Sequence, residues 1–304
     1  MNQGWIYRER VNKFDAGQTI LSYYNSKYRH SSKEEWRERI IKRQILLDES
    51  PATPETKLTA GQKLAYHRPP WNEPPVPLDF TVLYEDSDLL AIAKPKGLPV
   101  LPGGGFLEHT LWWQLQQKYS QPIPVPVHRL GRGTSGIMLL ARSHLAKSSL
   151  SHQLRTNSID KVYLALVSGT DIPQHLIISD HIGKIPHSSL GYIYGATSQG
   201  KSARSECRVL SRQSDRTIVE VTIFTGRPHQ IRIHLAAAGF PLLGDPLYLP
   251  GGKPRLISSI SEDKKLPVPS DCGYYLHAYR LGFTHPRSGD KITLECKPPL
   301  ELSV

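Results

Sequence analysis

The chain has 304 residues and a formal net charge of +11 at pH 7, from 38 Lys and Arg against 27 Asp and Glu. This length allows about one to three domains. The charge favours a polyanionic partner, with RNA, DNA and an anionic membrane surface as candidates, and the alternative is a merely positive surface. The three cysteines lie far apart, which argues against a zinc site and a disulfide framework. The N-terminus lacks an apolar secretion core and no apolar run approaches the ~20 residues that span a bilayer, so we expect a cytoplasmic protein without a membrane partner.

The N-terminal part of the chain predicts a small α+β domain. Apolar residues recur at helical spacing over residues 19–28. Ser31 and Ser32 each precede a glutamate by three residues, which is the capping-box pattern found at the start of a helix. Short strands are predicted at residues 44–47 and 62–66. Two helices followed by a hairpin resemble the αL RNA-binding module of ribosomal proteins.

Basic residues are concentrated in this segment. Residues 1–70 contain 13 Lys and Arg against 8 Asp and Glu, a net charge of +5. Arginine and lysine on an exposed helix contact phosphates without reading sequence, so an RNA-binding surface is predicted on the second helix. The alternative is an ordinary solvated helix, because glutamates lie among the same residues. The RNA-binding candidates are Lys33, Arg37, Lys42 and Arg43.

A proline-rich segment separates this domain from the rest of the chain. Residues 67–78 contain five prolines, which fix φ and remove backbone donors, so an extended, semi-rigid linker is predicted. We therefore expect an RNA-binding domain over residues 1–70, a linker over residues 71–80 and a second domain over residues 81–304.

The second domain is predicted to contain more strands than helices. Strands are predicted at residues 81–84, 89–93, 137–142, 162–167, 206–210 and 218–224, and helices at residues 110–119, 143–154 and 230–238. Because helices and strands do not alternate one for one, the predicted fold class is α+β with a mixed, mostly antiparallel sheet.

Several motifs in the second domain carry a family resemblance. They are His-Arg-Leu-Gly-Arg-Gly-Thr-Ser-Gly at residues 128–136, Lys-Val-Tyr-Leu-Ala-Leu-Val-Ser-Gly at 161–169, Thr-Gly-Arg-Pro-His-Gln-Ile-Arg-Ile-His-Leu at 225–235, Gly-Asp-Pro-Leu-Tyr at 244–248 and Leu-His-Ala at 276–278. The set resembles the RluA-type family of RNA pseudouridine synthases, whose signature is His-Arg-Leu-Asp-x-x-Thr-Ser-Gly. The resemblance implies a pseudouridine synthase fold and isomerisation of uridine to pseudouridine in structured rRNA or tRNA. It implies no cofactor, no metal and no obligate protein partner.

Two other interpretations of these residues are weaker. Residues 131–136 match the dinucleotide fingerprint Gly-x-Gly-x-x-Gly, but prolines interrupt the preceding stretch and a strand follows where a helix would be needed. His229 and His234 suggest a metal site, but their spacing does not place them one helical turn apart.

The resemblance also implies roles for individual residues. Arg129 would fill the place that a flipped base vacates, Tyr163 would stack on that base, and Arg232 would pair with the catalytic aspartate. Tyr163 and Arg232 are therefore the catalytic candidates. Further RNA-binding candidates around the pocket are His128, Arg132, Arg227 and His229.

Gly131 stands where the family signature has its catalytic aspartate. A glycine can neither attack nor accept a proton, and residues 109–159 contain no Asp or Glu. Glycine is also expected to leave Arg232 without its partner, which would make the pocket a stronger anion site. Two hypotheses stay open: an active isomerase with a carboxylate from outside the motif or a changed mechanism, and a non-catalytic RNA-binding protein that keeps the base-flipping pocket. The candidate substitutes are Asp160, Asp245 and Asp88.

Overall fold

The structure is a computed structural model that describes residues 1–28, 30–187, 191–254 and 268–303. The Cα positions group into two compact units, one formed chiefly by Met1–Glu73 and the other by Pro74–Pro186 and Tyr192–Val304. Within the described residues, no helix is long and apolar enough to cross a membrane.

The first unit combines two helices with a four-stranded antiparallel sheet in the order β1-β4-β2-β3. The aromatic side chains of Tyr23, Tyr24 and Trp36 are buried in its core together with aliphatic residues from both helices and from β2 and β4. The elements are β1 (Trp5–Arg10), α1 (Ile20–Lys27), α2 (Lys33–Ile41), β2 (Ile45–Leu47), β3 (Ser50–Pro51) and β4 (Lys63–Arg68).

Side-chain caps begin both helices of this unit. Thr19 Oγ1 accepts a hydrogen bond from the Ser22 N–H at the start of α1. Ser32 Oγ accepts from the Glu35 N–H, and the Glu35 carboxylate accepts from the Ser32 N–H at 2.7 Å. The predicted capping box is therefore confirmed, with Ser32 as its first residue.

The second unit is built on a ten-stranded sheet. Eight of its strands follow the order β10-β13-β14-β9-β15-β8-β6-β5, and the other two are β16, beside β15, and β7, beside β8. The strands β11 and β12 pair with each other. Its strands are β5 (Thr81–Glu85), β6 (Leu89–Lys94), β7 (Val125–Pro126), β8 (Ser135–Ala141), β9 (Asp160–Ser168), β10 (His175–Ile178), β11 (Ile182–His187), β12 (Gly191–Ala196), β13 (Ser205–Arg212), β14 (Arg216–Ile223), β15 (Leu276–Thr284) and β16 (Lys291–Glu295). Its helices are α3 (Leu111–Lys118), α4 (His144–Arg155) and α5 (Gln230–Ala237). Among the pairs whose register the structure describes, β8 with β15 is parallel and the others are antiparallel. The predicted mixed, mostly antiparallel α+β fold is confirmed.

Helices cover both faces of the sheet at β6 and β8. Ile137 and Leu139 of β8 share a core with α4, whereas Met138 and Leu140 share another core with α3. Side chains alternate between the faces of a strand, so a strand covered on both sides must be apolar at every position. This explains the continuous apolar run of β8.

The register of four neighbouring strands brings sequence motifs together. Gly136 of β8 lies opposite Ala278 of β15, and Ala278 also lies opposite Tyr163 of β9. Tyr163 in turn lies opposite Val221 of β14. The loop at residues 128–134 therefore ends beside the middle of β9 and the start of β15.

Candidate active site

A cavity of about 110 Å³ opens beside the loop that precedes β8. Its wall includes six residues predicted from the sequence: Arg129, Gly131, Tyr163, Arg227, His229 and Arg232. The rest of the wall is formed by Leu130, Thr134, Ile223, Gln230, Ile231, Tyr274 and Leu276. The strand register thus gathers the first three motifs and the Leu-His-Ala motif around one space.

Arg232 of α5 forms a buried ion pair with Asp245. Its Nε donates to Asp245 Oδ2 and its Nη2 donates to Oδ1, both at 2.7 Å, and the two side chains are only 3% and 1% exposed. The expectation that Arg232 would lack a partner and strengthen anion binding is therefore wrong. A buried guanidinium is costly without a counter-charge, and here the Gly-Asp-Pro-Leu-Tyr motif supplies the carboxylate.

Tyr274, which was not predicted from the sequence, packs between Arg232 and the signature loop. The Arg232 Cζ lies 4.3 Å from the Tyr274 ring centroid, within cation–π distance. An ideal Cβ at Gly133 would lie 2.8 Å from Tyr274 Cζ, so a side chain there would collide with the ring. Glycines on either side of Arg132 were the sequence signal that another group approaches this loop closely.

Gly131 has a backbone conformation open to other residues, because its φ lies outside the left-handed region. An ideal Cβ at Gly131 would lie 3.0 Å from the Tyr274 hydroxyl oxygen and 3.5 Å from Thr134 Oγ1. The hydroxyl of Tyr274 therefore lies directly beside the position that a Cβ of residue 131 would take.

Tyr163 contributes an aromatic residue with a hydroxyl group to the cavity wall. The ring packs against apolar clusters on both sides of β9, and burial raises the pKa of the phenol to about 12, so it is neutral at pH 7. Among the described residues, the structure records no hydrogen-bond partner for this hydroxyl. The group can therefore bond to a ligand without breaking an existing contact.

His229 is held in a neutral form at the start of α5. Burial, and next the positive charge of Arg232, lower its pKa to about 4. The Tyr248 hydroxyl donates its one proton to the Tyr194 carbonyl oxygen at 2.8 Å, so His229 Nδ1, 2.8 Å from that hydroxyl, must be the donor between them. His229 Nε2 is then an unprotonated acceptor.

Comparisons with known proteins agree with this geometry. Residues 88–237 match the family model described as RNA pseudouridylate synthase. The chain is 48% identical over 283 residues to an uncharacterized RNA pseudouridine synthase of Synechocystis sp., covering 93% of this chain and 95% of that protein. It is 38% identical to RNA pseudouridine synthase 5 of Oryza sativa subsp. japonica, covering 98% of this chain and 88% of that protein. The chain belongs to the RNA pseudouridine synthase family.

More distant members support the same assignment. Ribosomal large subunit pseudouridine synthase D of Neisseria meningitidis is 33% identical, over 84% of this chain and 69% of that protein, and the predicted RluA-type membership is confirmed. The structure of human RNA pseudouridylate synthase domain containing 1 superimposes with a TM-score of 0.56 at 24% identity, over 76% of this chain and 89% of that one. That likeness shows the shared synthase fold.

Two residues of the synthase signature, His128 and Arg132, are not part of the described cavity wall. His128 Nε2 accepts a hydrogen bond from the Leu139 N–H at 3.0 Å, so the imidazole is bound to the backbone of β8. Arg132 Nε donates to the Ser270 carbonyl oxygen at 2.9 Å. RNA contacts by these two residues stay predictions.

None of the three candidate carboxylates lines the described cavity wall. Asp160 is exposed at the start of β9. Asp88 accepts from Arg287 Nη2 at 2.8 Å and from Ser143 Oγ at 2.6 Å, which fixes the residue that caps α4. Of the three candidates, Asp245 is the one in contact with a residue of the cavity wall.

The basic candidates of the first unit lie on its surface. Lys33, Arg37, Lys42 and Arg43 are all exposed. Arg37 pairs with Glu55 at 3.0 Å and Lys42 pairs with Glu38 at 2.6 Å. Exposed pairs of this kind are worth about 0–1 kcal/mol, so a phosphate can replace the carboxylate at low cost.

Proposed function

We propose that this chain isomerises uridine to pseudouridine in a structured RNA, either rRNA or tRNA. The observation that carries the proposal is the cavity beside the signature loop, where Arg129 and Tyr163 meet the buried Arg232–Asp245 pair. Relatives named for pseudouridine synthesis in plants and on the large ribosomal subunit support RNA as the substrate class.

The cavity suits a base that has left its stack. A uridine inside a helix is inaccessible until its base is turned out. In our proposal, the ring of Tyr163 stacks on the extruded uracil, and the exposed Arg129 fills the place that the uracil leaves. Arg227 lines the same wall and keeps its guanidinium in place through a 2.9 Å hydrogen bond from Nε to the Ser202 carbonyl oxygen.

The reaction balances without a cofactor. The bond between C1′ and N1 of uridine breaks, the base turns, and a bond between C1′ and C5 forms, while N1 gains one proton and C5 loses one. Asp245 accepts four hydrogen bonds, two from Arg232 and two from the N–H groups of Leu247 and Tyr248. Because its oxygens are occupied in this way, we assign Asp245 to holding Arg232 beneath the cavity and not to attacking the sugar.

A second candidate function is an RNA-binding protein that captures a flipped uridine without converting it. The observation in its favour is that the described wall of the cavity contains no Asp or Glu. Mapping pseudouridine in cellular RNA with and without this chain separates the two candidates. A uridine that is modified only when the chain is present supports the isomerase and identifies the RNA.

Replacing Tyr163 with alanine is expected to reduce capture of the target uridine by about 10- to 100-fold, because stacking on an aromatic ring is worth about 1–3 kcal/mol per base. Arg129→Ala should act in the same direction. The measurement is affinity for the target RNA and for the same RNA with an abasic site at the target position. The exposed Tyr192, outside the cavity wall, provides the control Tyr192→Ala. Equal losses on the two RNAs would show that Tyr163 and Arg129 serve the fold or the backbone instead.

The first unit is proposed to bind RNA phosphates through its basic surface. Removing the charges of Lys33 and Arg43 with glutamine should flatten the slope of log affinity against log salt by about 0.7–0.9 for each phosphate that the protein no longer neutralises. The control is the charge-conserving pair Lys33→Arg and Arg43→Lys, which should leave the slope unchanged. An unaltered slope in the glutamine variant would show that these residues are not part of the RNA interface.

The cytoplasmic location stays a prediction from the sequence.

A further inference from the structure

We propose that the hydroxyl of Tyr274 is a catalytic hydrogen-bond donor, which contacts the uracil ring in the cavity and stabilises negative charge on it during isomerisation. This inference rests on the proposed function. Tyr274 lines the cavity next to Gly131, and the described wall of the cavity has no carboxylate.

The signature loop is shaped around this tyrosine. A Cβ at Gly131 would approach the hydroxyl to 3.0 Å, and a Cβ at Gly133 would approach Cζ to 2.8 Å and Cε1 to 2.9 Å. Real Cβ atoms do not tolerate the approaches at Gly133, because buried atoms are packed at van der Waals distance. Gly133 is therefore needed for the ring to reach the cavity wall, whereas a Cβ at Gly131 would require only a small shift of the hydroxyl. The pair of glycines and Tyr274 form one matched arrangement.

The hydroxyl of Tyr274 is buried but only weakly used inside the protein. The residue is 1% exposed, and its recorded partner among the described residues is Thr134 Oγ1 at 3.4 Å. Hydroxyl hydrogen bonds are normally about 2.5–3.0 Å long, so this contact is weak. A buried hydroxyl without a good partner is costly, and an acceptor on a bound ligand would satisfy it.

This hydroxyl is a donor, not a base. Burial raises the pKa of Tyr274, although the neighbouring Arg232 acts in the opposite direction, so the phenol keeps its proton at neutral pH. The guanidinium of Arg232 lies 4.3 Å from the ring centroid, and Asp245 holds it there. The ring therefore sits at a fixed position with its O–H group at the cavity wall.

A fixed donor at this place meets a chemical need of the reaction. When the C1′–N1 bond breaks, its electron pair stays on the uracil and spreads from N1 to O2 and O4. A preorganised donor next to one of these oxygens stabilises that charge in a site sheltered from water. Tyr274 keeps its own proton throughout, and the exchange of one proton between C5 and N1 completes the isomerisation.

The test is Tyr274→Phe in the full-length chain, assayed by single-turnover conversion of uridine in the target RNA. Phenylalanine keeps the ring packed on both glycines and on Arg232, so the RNA affinity and the free energy of unfolding should change little. Loss of one such donor typically slows the chemical step by about 10²- to 10³-fold. The matched control is Tyr275→Phe, since the adjacent tyrosine lies outside the cavity wall. A Tyr274→Phe variant that converts uridine as fast as Tyr275→Phe overturns the proposal.

Substrate analogues identify the acceptor. Sulfur is a weaker acceptor than oxygen, so a 2-thiouridine or 4-thiouridine at the target position should slow the wild type at whichever atom Tyr274 contacts, and should slow Tyr274→Phe much less. Purely additive effects for both analogues would also overturn the contact. A wild type that converts no uridine refutes the isomerase function itself, whereas a fast Tyr274→Phe variant refutes only the role of Tyr274.

Discussion

Asp245→Asn is expected to lower the free energy of unfolding of the second unit by about 3–5 kcal/mol, because it leaves the buried guanidinium of Arg232 without a counter-charge. The substitution keeps the shape of the side chain but removes the negative charge of the carboxylate, whose oxygens accept two 2.7 Å hydrogen bonds from Arg232. Both partners are almost completely buried, so water cannot replace the missing carboxylate. Urea denaturation followed by circular dichroism measures the effect.

An exposed ion pair and a double substitution to apolar residues provide the controls for this prediction. Asp215 pairs with Arg216 at 3.8 Å with side chains 73% and 46% exposed, so Asp215→Asn should change stability by less than about 1 kcal/mol. The double variant Arg232→Met with Asp245→Leu should recover part of the stability, since no charge is left buried, but the N–H groups of Leu247 and Tyr248 lose their acceptor. It should still fail to convert uridine. Equal stability of the Asp245→Asn and Asp215→Asn variants would contradict the prediction.

Gly136→Ala is expected to lower the free energy of unfolding by more than about 4 kcal/mol, which is a severe effect for a single substitution. Gly136 has a φ of +106°, and a Cβ there would lie 2.2 Å from the backbone oxygen and 2.6 Å from the backbone nitrogen of Ala278. Because these are backbone atoms of the paired strand, no side-chain movement relieves the collision. The parallel pairing of β8 and β15 should be disrupted, and the cavity with it. Soluble yield and the urea midpoint are the measurements.

The matched control is Gly289→Ala. Gly289 also has a positive φ, +78°, but a Cβ there meets no atom within 4 Å. Gly289→Ala should lower the free energy of unfolding by only about 1–2 kcal/mol, the strain of a left-handed backbone conformation. If the two alanine variants were equally stable, the close approach to Ala278 would not be what requires glycine in the signature.

Local features of this fold were predictable from the sequence because their causes lie within a few residues. Ser32 caps its helix as predicted, since a capping side chain bonds to a backbone N–H about three residues further on. The strands β6 and β8 were predicted because each is a short, continuous apolar run, which is also a local feature of the sequence. In contrast, β1 is mostly exposed and has no apolar alternation to reveal it, so its pairing with β4 was not predicted.

The motifs also predicted which parts of the chain form the site. Residues from the Arg129, Tyr163 and Arg232 motifs do meet at one cavity, because each motif lies at or beside a strand of the central sheet or on α5. The sequence showed that residue 131 has no side chain. It did not show what occupies the space beside it.

Partnerships between distant side chains were decided by the tertiary structure alone. Asp245 was one of three candidate carboxylates, and only the path of the chain after α5 placed it against Arg232. Tyr274 reaches Gly131 across more than a hundred residues because β15 lies parallel to β8 with Ala278 opposite Gly136. A shift of that register by one residue would turn every side chain of β15 to the other face of the sheet, and register is set by the packing of the whole sheet, not by any motif within it.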